Sequence, residues 1–222
     1  MALKVKGQGE NRKTVIRGTK KNCLIVCVGD STTDTALSYA NVSLKYFAQA
    51  AAPINATVVN RAHAGQGIPY LSSVLASEVL ALNPDIITIS MLLNDLGVGA
   101  AANMTDYITT CLAHTNPNGK KPLIIGMTDN PTGSSQNATR PLAAQDATAN
   151  DFMNIYNGFT EAAGVYAANT YAAFMAFGRD SPTFISLMHP DDIHPSSPLG
   201  HDLYMKTLNP QLAKAVWKFY NY

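Results

Sequence analysis

The sequence predicts an α/β fold, a three-layer α/β/α sandwich around a mostly parallel sheet of about five strands. Three observations predict it. From residue 22 onward, short apolar runs alternate with segments of helical periodicity, the pattern of successive βαβ units. The first run, Cys23 to Val28, is apolar without a break, as expected of a strand buried on both faces. The chain has 222 residues, 46% of them hydrophobic, which suits one domain with a substantial core.

Each element follows in order. The first strand stops at Gly29. A helix is expected over about 35–51, where Leu37, Ala40, Leu44 and Phe47 recur at helical spacing. Thr57-Val58-Val59 marks a second strand, and Leu71, Val74, Leu75 and Val79 mark a helix over about 70–82. Asp85 to Met91 forms a third strand, about 104–114 a helix, and Pro122 to Met127 a fourth strand. Asp129 to Arg140 is polar and rich in turn residues, so it reads as a long loop. A long helix over about 143–163 is expected to cap at Gly164, ahead of a fifth strand at Val165 to Ala168. The last helix, about 199–219, is expected to break at Asn209-Pro210. Residues 170–188 show no dominant period, and Val15-Ile16 suggests one short strand ahead of the domain.

Charge divides the chain unevenly. Residues 1–21 carry seven basic residues (Lys4, Lys6, Arg12, Lys13, Arg17, Lys20 and Lys21) and one acid, Glu10. The remainder, 22–222, is mildly acidic. The first 21 residues therefore read as a basic arm or leader, and the rest as the folded domain. No aromatic residues interleave with the basic ones of the arm, which argues against nucleic-acid recognition. Only 14% of residues are charged, which suits an extracellular or particle-associated protein at least as well as a cytosolic one. No apolar run is long enough to span a membrane, and no apolar leader segment opens the chain. Cys23 and Cys27 lie four residues apart on one strand, roughly 13 Å, too far for a disulfide. They read as small buried filler. No Cys/His cluster has metal-ligand spacing, so no metal is expected.

In open α/β sheets, ligands bind beyond the carboxyl ends of the strands. The loop after the first strand reads Gly29-Asp30-Ser31-Thr32-Thr33-Asp34. It presents a serine hydroxyl above the sheet edge, although Ser31 or Thr32 could equally cap the following helix. Late in the chain stands Asp191-Asp192-Ile193-His194-Pro195. A serine hydroxyl becomes a nucleophile when a base takes its proton, and the base needs an orienting group. Asp191, three residues before His194, can hold one imidazole nitrogen while the other faces Ser31. Asp192 competes for that place, but the spacing favours Asp191. His63, His114, His189 and His201 read as surface or core-filling residues.

These segments resemble the four blocks of the SGNH/GDSL hydrolase family. Gly29-Asp30-Ser31 is similar to the first block and Asn60-Arg61-Ala62-His63-Ala64-Gly65 to the second. Leu92-Leu93-Asn94-Asp95 is similar to the third, and Asp191 to Pro195 to the last. Ala62 stands where the family often has Gly, and Leu92 replaces the usual first Gly of the third block, which sets a large side chain near Asn94. The resemblance spans about residues 22–205. It implies a flavodoxin-like sheet and a serine esterase in which Ser31, His194 and Asp191 form the triad. The N–H groups of Ser31 and Gly65 and the side-chain amide of Asn94 would form the oxyanion hole, with no cofactor. Asp30, Asp34 and Asp95 would then be structural acceptors that fix the loops.

The loops around this site are polar: Arg61, His63 and Gln66 after the second strand, and Asp129, Asn130, Gln136, Asn137 and Arg140 after the fourth. No long apolar lid is apparent. These features point to a short acyl ester, an O-acetyl group on a carbohydrate, as substrate. A thioesterase or lysophospholipase would use the same triad. A non-catalytic carbohydrate-binding module on a larger surface or viral assembly is the alternative from another class.

Overall fold

The computed structural model describes residues 21–34, 38–42, 44, 48, 51–52, 54–97, 99–196 and 198–221. The expected short strand at Val15-Ile16, and Leu37 and Phe47 of the first expected helix, lie outside them. Five strands form one sheet: β1 (Lys21–Gly29), β2 (Ile54–Asn60), β3 (Ile86–Met91), β4 (Leu123–Thr128) and β5 (Val165–Ala168). All neighbours pair in parallel, in the order β2-β1-β3-β4-β5. The crossover direction reverses between β1 and β3, which opens a crevice at their carboxyl ends. Ser31 stands at that crevice, two residues past the end of β1.

Strand alternation builds two cores. Along β1, Cys23, Ile25 and Cys27 face one side, where they pack with Leu44, Phe174, Phe184, Leu208 and Leu212. Val26 and Val28 face the other, with Leu71, Leu75, Met104, Ile108 and Phe152. Both sides of the sheet are therefore covered, and the continuous apolar run of β1 follows from that. The cysteines are buried and free, and burial pushes the Cys27 thiol up to about 12. Among the described residues no helix is long and apolar enough to cross a membrane, and no group of His, Cys, Asp and Glu has a metal-binding arrangement.

The helices around the sheet are α1 (Ser31–Asp34), α2 (Tyr39–Val42), α3 (Ile68–Val74), α4 (Ala100–Ala113), α5 (Leu142–Phe159), α6 (Thr170–Met175), α7 (Pro182–Leu187) and α8 (Leu199–Asn221). The segment without a dominant period thus holds two short helices, α6 and α7. Each is capped by a side chain: Asn169 accepts from the Ala172 N–H and Ser181 from the Phe184 N–H.

Three expectations are corrected. The helix expected over 70–82 is α-helical only through Val74. Leu75–Val79 forms a π turn and Leu80–Leu82 a 3₁₀ turn, ended by Asn83 at φ 55°. The wider turn keeps Leu75 and Val79 both in the core while Glu78 reaches His63. α5 ends at Phe159 with Thr160 at φ 65°, so Gly164 is not its cap. Gly164, at φ 92°, instead closes the turn into β5, where its carbonyl accepts from the Ile124 N–H at 2.8 Å. α8 runs through Pro210 without a break. A helix-interior proline costs about 3 kcal/mol. Here Tyr204, Met205, Leu208, Leu212, Ala215 and Val216 are all buried on both sides of it, and each large apolar side chain gains roughly 1.5–3 kcal/mol by burial. The apolar stripe outweighs the proline.

Candidate active site

The turn that carries Ser31 is built on Asp30. Its carbonyl accepts from the N–H groups of Thr33 at 3.1 Å and Asp34 at 3.0 Å, and its carboxyl Oδ1 accepts from the Thr32 N–H at 2.9 Å. Ser31 is thereby held at the start of α1, half-buried. Gly29 is required just before it: a Cβ there would come within 2.8 Å of the Ser90 carbonyl oxygen.

His194 arrives from the far end of the chain. His194 Nε2 lies 2.8 Å from Ser31 Oγ, and His194 Nδ1 lies 2.6 Å from Asp191 Oδ2. The other carboxylate oxygen, Asp191 Oδ1, accepts from the Ile193 N–H at 2.9 Å and the His194 N–H at 3.0 Å. Burial raises the Asp191 pKa, but these bonds from the imidazole and the two N–H groups outweigh it and hold the group at about 2. Asp192 is turned elsewhere, at φ 62°, with its carboxylate accepting from Ser135 Oγ at 2.6 Å. Asp191, three residues before His194, is thus the carboxylate in contact with the ring, and Asp192 is not. The loop is closed across its base by His189 N–H donating to the His194 carbonyl at 2.8 Å.

The second and third blocks meet the first. The Asn60 side chain donates to the Thr33 carbonyl at 2.7 Å and accepts from the Ala62 N–H at 3.0 Å. The His63 N–H donates to the Gly29 carbonyl at 2.9 Å. Beyond it, Gly65 is exposed at φ 74°, a left-handed conformation suited to glycine. Asn94 Nδ2 donates to Asp30 Oδ2 at 3.0 Å, which engages one of its two N–H bonds. Among the described residues, no hydrogen bond takes the backbone N–H of Ser31 or Gly65. Asp95 anchors the third block to α3 by accepting from the Ile68 N–H at 2.7 Å. Leu92, in place of the family glycine, is fully buried with Leu93, Ala149 and Tyr171, so its bulk points into a small core rather than the crevice.

Two of the polar loop residues around the site are turned away from solvent. Asp129 and Asn130 are fully buried beneath the site. Asp129 Oδ1 accepts from Ser90 Oγ at 2.7 Å and Thr32 Oγ1 at 3.1 Å. A hydrophilic loop composition does not separate solvated side chains from acceptors that hold neighbouring loops. Asp30 and Asp95 are buried acceptors, whereas Asp34 is exposed. His63 also has a partner that its sequence position did not reveal: Glu78 Oε2, 2.7 Å from Nε2. Only the π turn brings that carboxylate there.

Two grooves flank the crevice. One, about 530 Å³, is lined by Leu93, Asn94, Leu96, Gln136, Thr139 and Arg140. The other, about 460 Å³, is lined by residues 60–63 of the second block together with Ser77, Glu78 and Leu82. A cavity of about 120 Å³ near Asp85, Pro122 and Phe219 lies at the amino ends of the strands, away from this chemistry.

The Ser31 hydroxyl thus meets a carboxylate-backed imidazole at the switch point of the parallel sheet of an α/β fold. Residues 27–203 match the family described as GDSL-like lipase/acylhydrolase, and the chain belongs to that family. It is a carboxylic ester hydrolase. Among solved structures it is similar to the acetylxylan esterase Axe2 from Geobacillus stearothermophilus, with a TM-score of 0.67 at 18% identity, covering 87% of this chain and 95% of that one. It is also similar to a lipase/acylhydrolase from Enterococcus faecalis, with a TM-score of 0.63 at 19% identity, covering 86% of this chain and 95% of that one. At these identities the likeness concerns the fold. A search of curated protein sequences finds no match.

Proposed function

We propose that this esterase works through Ser31, His194 and Asp191 and removes short acyl groups, acetyl foremost, from a carbohydrate. One observation carries the reading: the continuous chain from Ser31 Oγ through the His194 ring to Asp191, with links of 2.8 and 2.6 Å.

The chemistry follows from those contacts. Ser31 Oγ attacks the ester carbonyl carbon while its proton passes to His194 Nε2. Asp191 holds the Nδ1–H tautomer and stabilises the imidazolium. The tetrahedral oxyanion is met by the N–H groups of Ser31 and Gly65 and the second N–H of Asn94 Nδ2, each such donor contributing roughly 3–4 kcal/mol. His194 then protonates the departing alcohol, leaving an acyl-Ser31 ester. Water, deprotonated by the same imidazole, releases the acid.

The acyl preference rests on the walls of the crevice. Gln136, Thr139 and Arg140 line the groove beside Asn94, and neither flanking groove is a deep apolar channel. Such walls suit a polar alcohol and leave little apolar surface for a long chain. The similar structure of an acetylxylan esterase agrees with that direction. The test is a series of p-nitrophenyl esters from acetate to octanoate, followed by acetylated xylooligosaccharides. The expected result is the highest kcat/KM for acetate and release of acetate from the oligosaccharide. Preference for octanoate over acetate would overturn the acyl assignment.

A further inference from the structure

The two residues that follow β4 touch both halves of the site. On the nucleophile side, Asp129 accepts from Ser90 Oγ, Thr32 Oγ1 and the Leu93 N–H, the last at 3.3 Å. It also hydrogen-bonds Asp30. Thr32 adjoins Ser31, Leu93 adjoins Asn94, and Asp30 itself holds the Asn94 amide. On the base side, Asn130 Nδ2 donates to the carbonyl of Ile193, the residue before His194, at 2.8 Å. The Asn130 N–H donates to Tyr204 Oη, whose hydroxyl donates back to Asn130 Oδ1, both at 2.9 Å.

We propose that Asp129 and Asn130 are positioning residues for ester hydrolysis, Asp129 setting the Ser31 turn against the Asn94 loop and Asn130 setting the His194 loop against both. The inference rests on the roles given above to Ser31 and His194.

The physical case is one of matching donors to acceptors. Asp30 and Asp129 are both fully buried, and neither has a salt bridge to a described residue. Two carboxyl groups in contact away from water do not both ionise. Burial, and then the adjacent Asp129 charge, push Asp30 well above the carboxylate range. Asp129, which accepts from Ser90, Thr32 and Leu93, is the ionised partner, and Asp30 donates to it. An ionised carboxylate offers about four acceptor positions. Asp129 meets four donors: Ser90 Oγ, Thr32 Oγ1, the Leu93 N–H and the Asp30 carboxyl. They come from two chain segments, 30–32 and 90–93, which carry Ser31 and adjoin Asn94. An asparagine at 129 keeps the shape, but its amide nitrogen would face donors. The loops would have to shift, and a displacement of about 1 Å at a reacting centre costs on the order of 10²-fold in rate.

The test compares wild type, Asp129→Asn and Thr32→Val, with folding checked by near-UV circular dichroism. Functional sites are counted by titrating Ser31 with a fluorophosphonate, so that kcat on p-nitrophenyl acetate is expressed per titrated site. A merely structural role lowers the number of sites and leaves turnover per site unchanged. The expected result is a loss of about 10-fold or more per site in Asp129→Asn, with KM moved by less than about 3-fold, and a smaller loss in Thr32→Val. Turnover per site within about 2-fold of wild type in both variants would overturn the proposal. If Asp129→Asn does not fold, Thr32→Val decides by the same criterion. Wild type that takes no fluorophosphonate would overturn the reading of Ser31 and this inference with it. A labelled wild type with unaffected variants overturns this inference alone.

Discussion

His194 Nε2 lies 2.8 Å from Ser31 Oγ although 163 positions separate the two residues in the chain. The sheet accounts for the meeting: Ser31 leaves β1 at its carboxyl end, and the buried residues after β4 tie the His194 loop to the same edge. A second carboxylate–imidazole contact lies nearby, His189 Nδ1 at 3.3 Å from Asp191 Oδ2, but His189 is 60% exposed. Asp191→Asn is therefore expected to lower kcat by about 10⁴-fold with the fold intact, whereas His189→Ala should leave it within about 2-fold. Steady-state kinetics on p-nitrophenyl acetate checks both.

The pH profile follows from Asp191. Its folded pKa, about 2, lies below the unfolded value near 3.9. The group therefore favours the folded state above about pH 4, and that contribution is lost as pH falls toward 2. Across the working range Asp191 stays ionised and therefore adds no proton of its own to the acid limb of kcat/KM. A limiting slope of 1 in log kcat/KM against pH is expected; a slope of 2 would mean that a second group titrates.

Asp95 behaves in the opposite sense. Burial, opposed by the Ile68 N–H and aided by the Asp129 charge, raises it to about 6. The folded state then binds this proton more tightly than the unfolded state does. Its contribution is fully present below about pH 4 and is lost as pH rises through 6. Asp95→Asn keeps an oxygen for the Ile68 N–H and removes the titration. Thermal unfolding should show the variant gaining on wild type between pH 4 and 7, by up to about 3 kcal/mol.

Asn94 donates one N–H to Asp30 and has a second for substrate. Asn94→Ala should lower kcat by about 10²–10³-fold while KM changes little, because the interaction forms chiefly in the transition state. An equal effect on KM with unchanged kcat would assign the amide to ground-state binding instead.

Much of this architecture was legible in the residues. The unbroken apolar run of β1, the alternation of runs with helical segments and the four motif blocks identify the parallel sheet and the family. What stayed hidden depends on contacts between distant segments. Pro210 reads locally as a break, yet the buried stripe from Tyr204 to Val216 carries the helix through it. The contact of Glu78 with His63 depends on a π turn that the helical spacing of residues 70–82 does not show. Asp129 and Asn130 sit in a stretch of loop composition, and their burial depends on Thr32, Ser90 and Tyr204, which are 39 to 97 positions away.

The proposed chemistry turns on Ser31 as the nucleophile of this esterase. The most direct measurement is hydrolysis of p-nitrophenyl acetate by wild type and Ser31→Ala, both verified as folded. Turnover by wild type and a loss of about 10³-fold or more in the variant are expected. Equal turnover by the two folded proteins would contradict that role for Ser31.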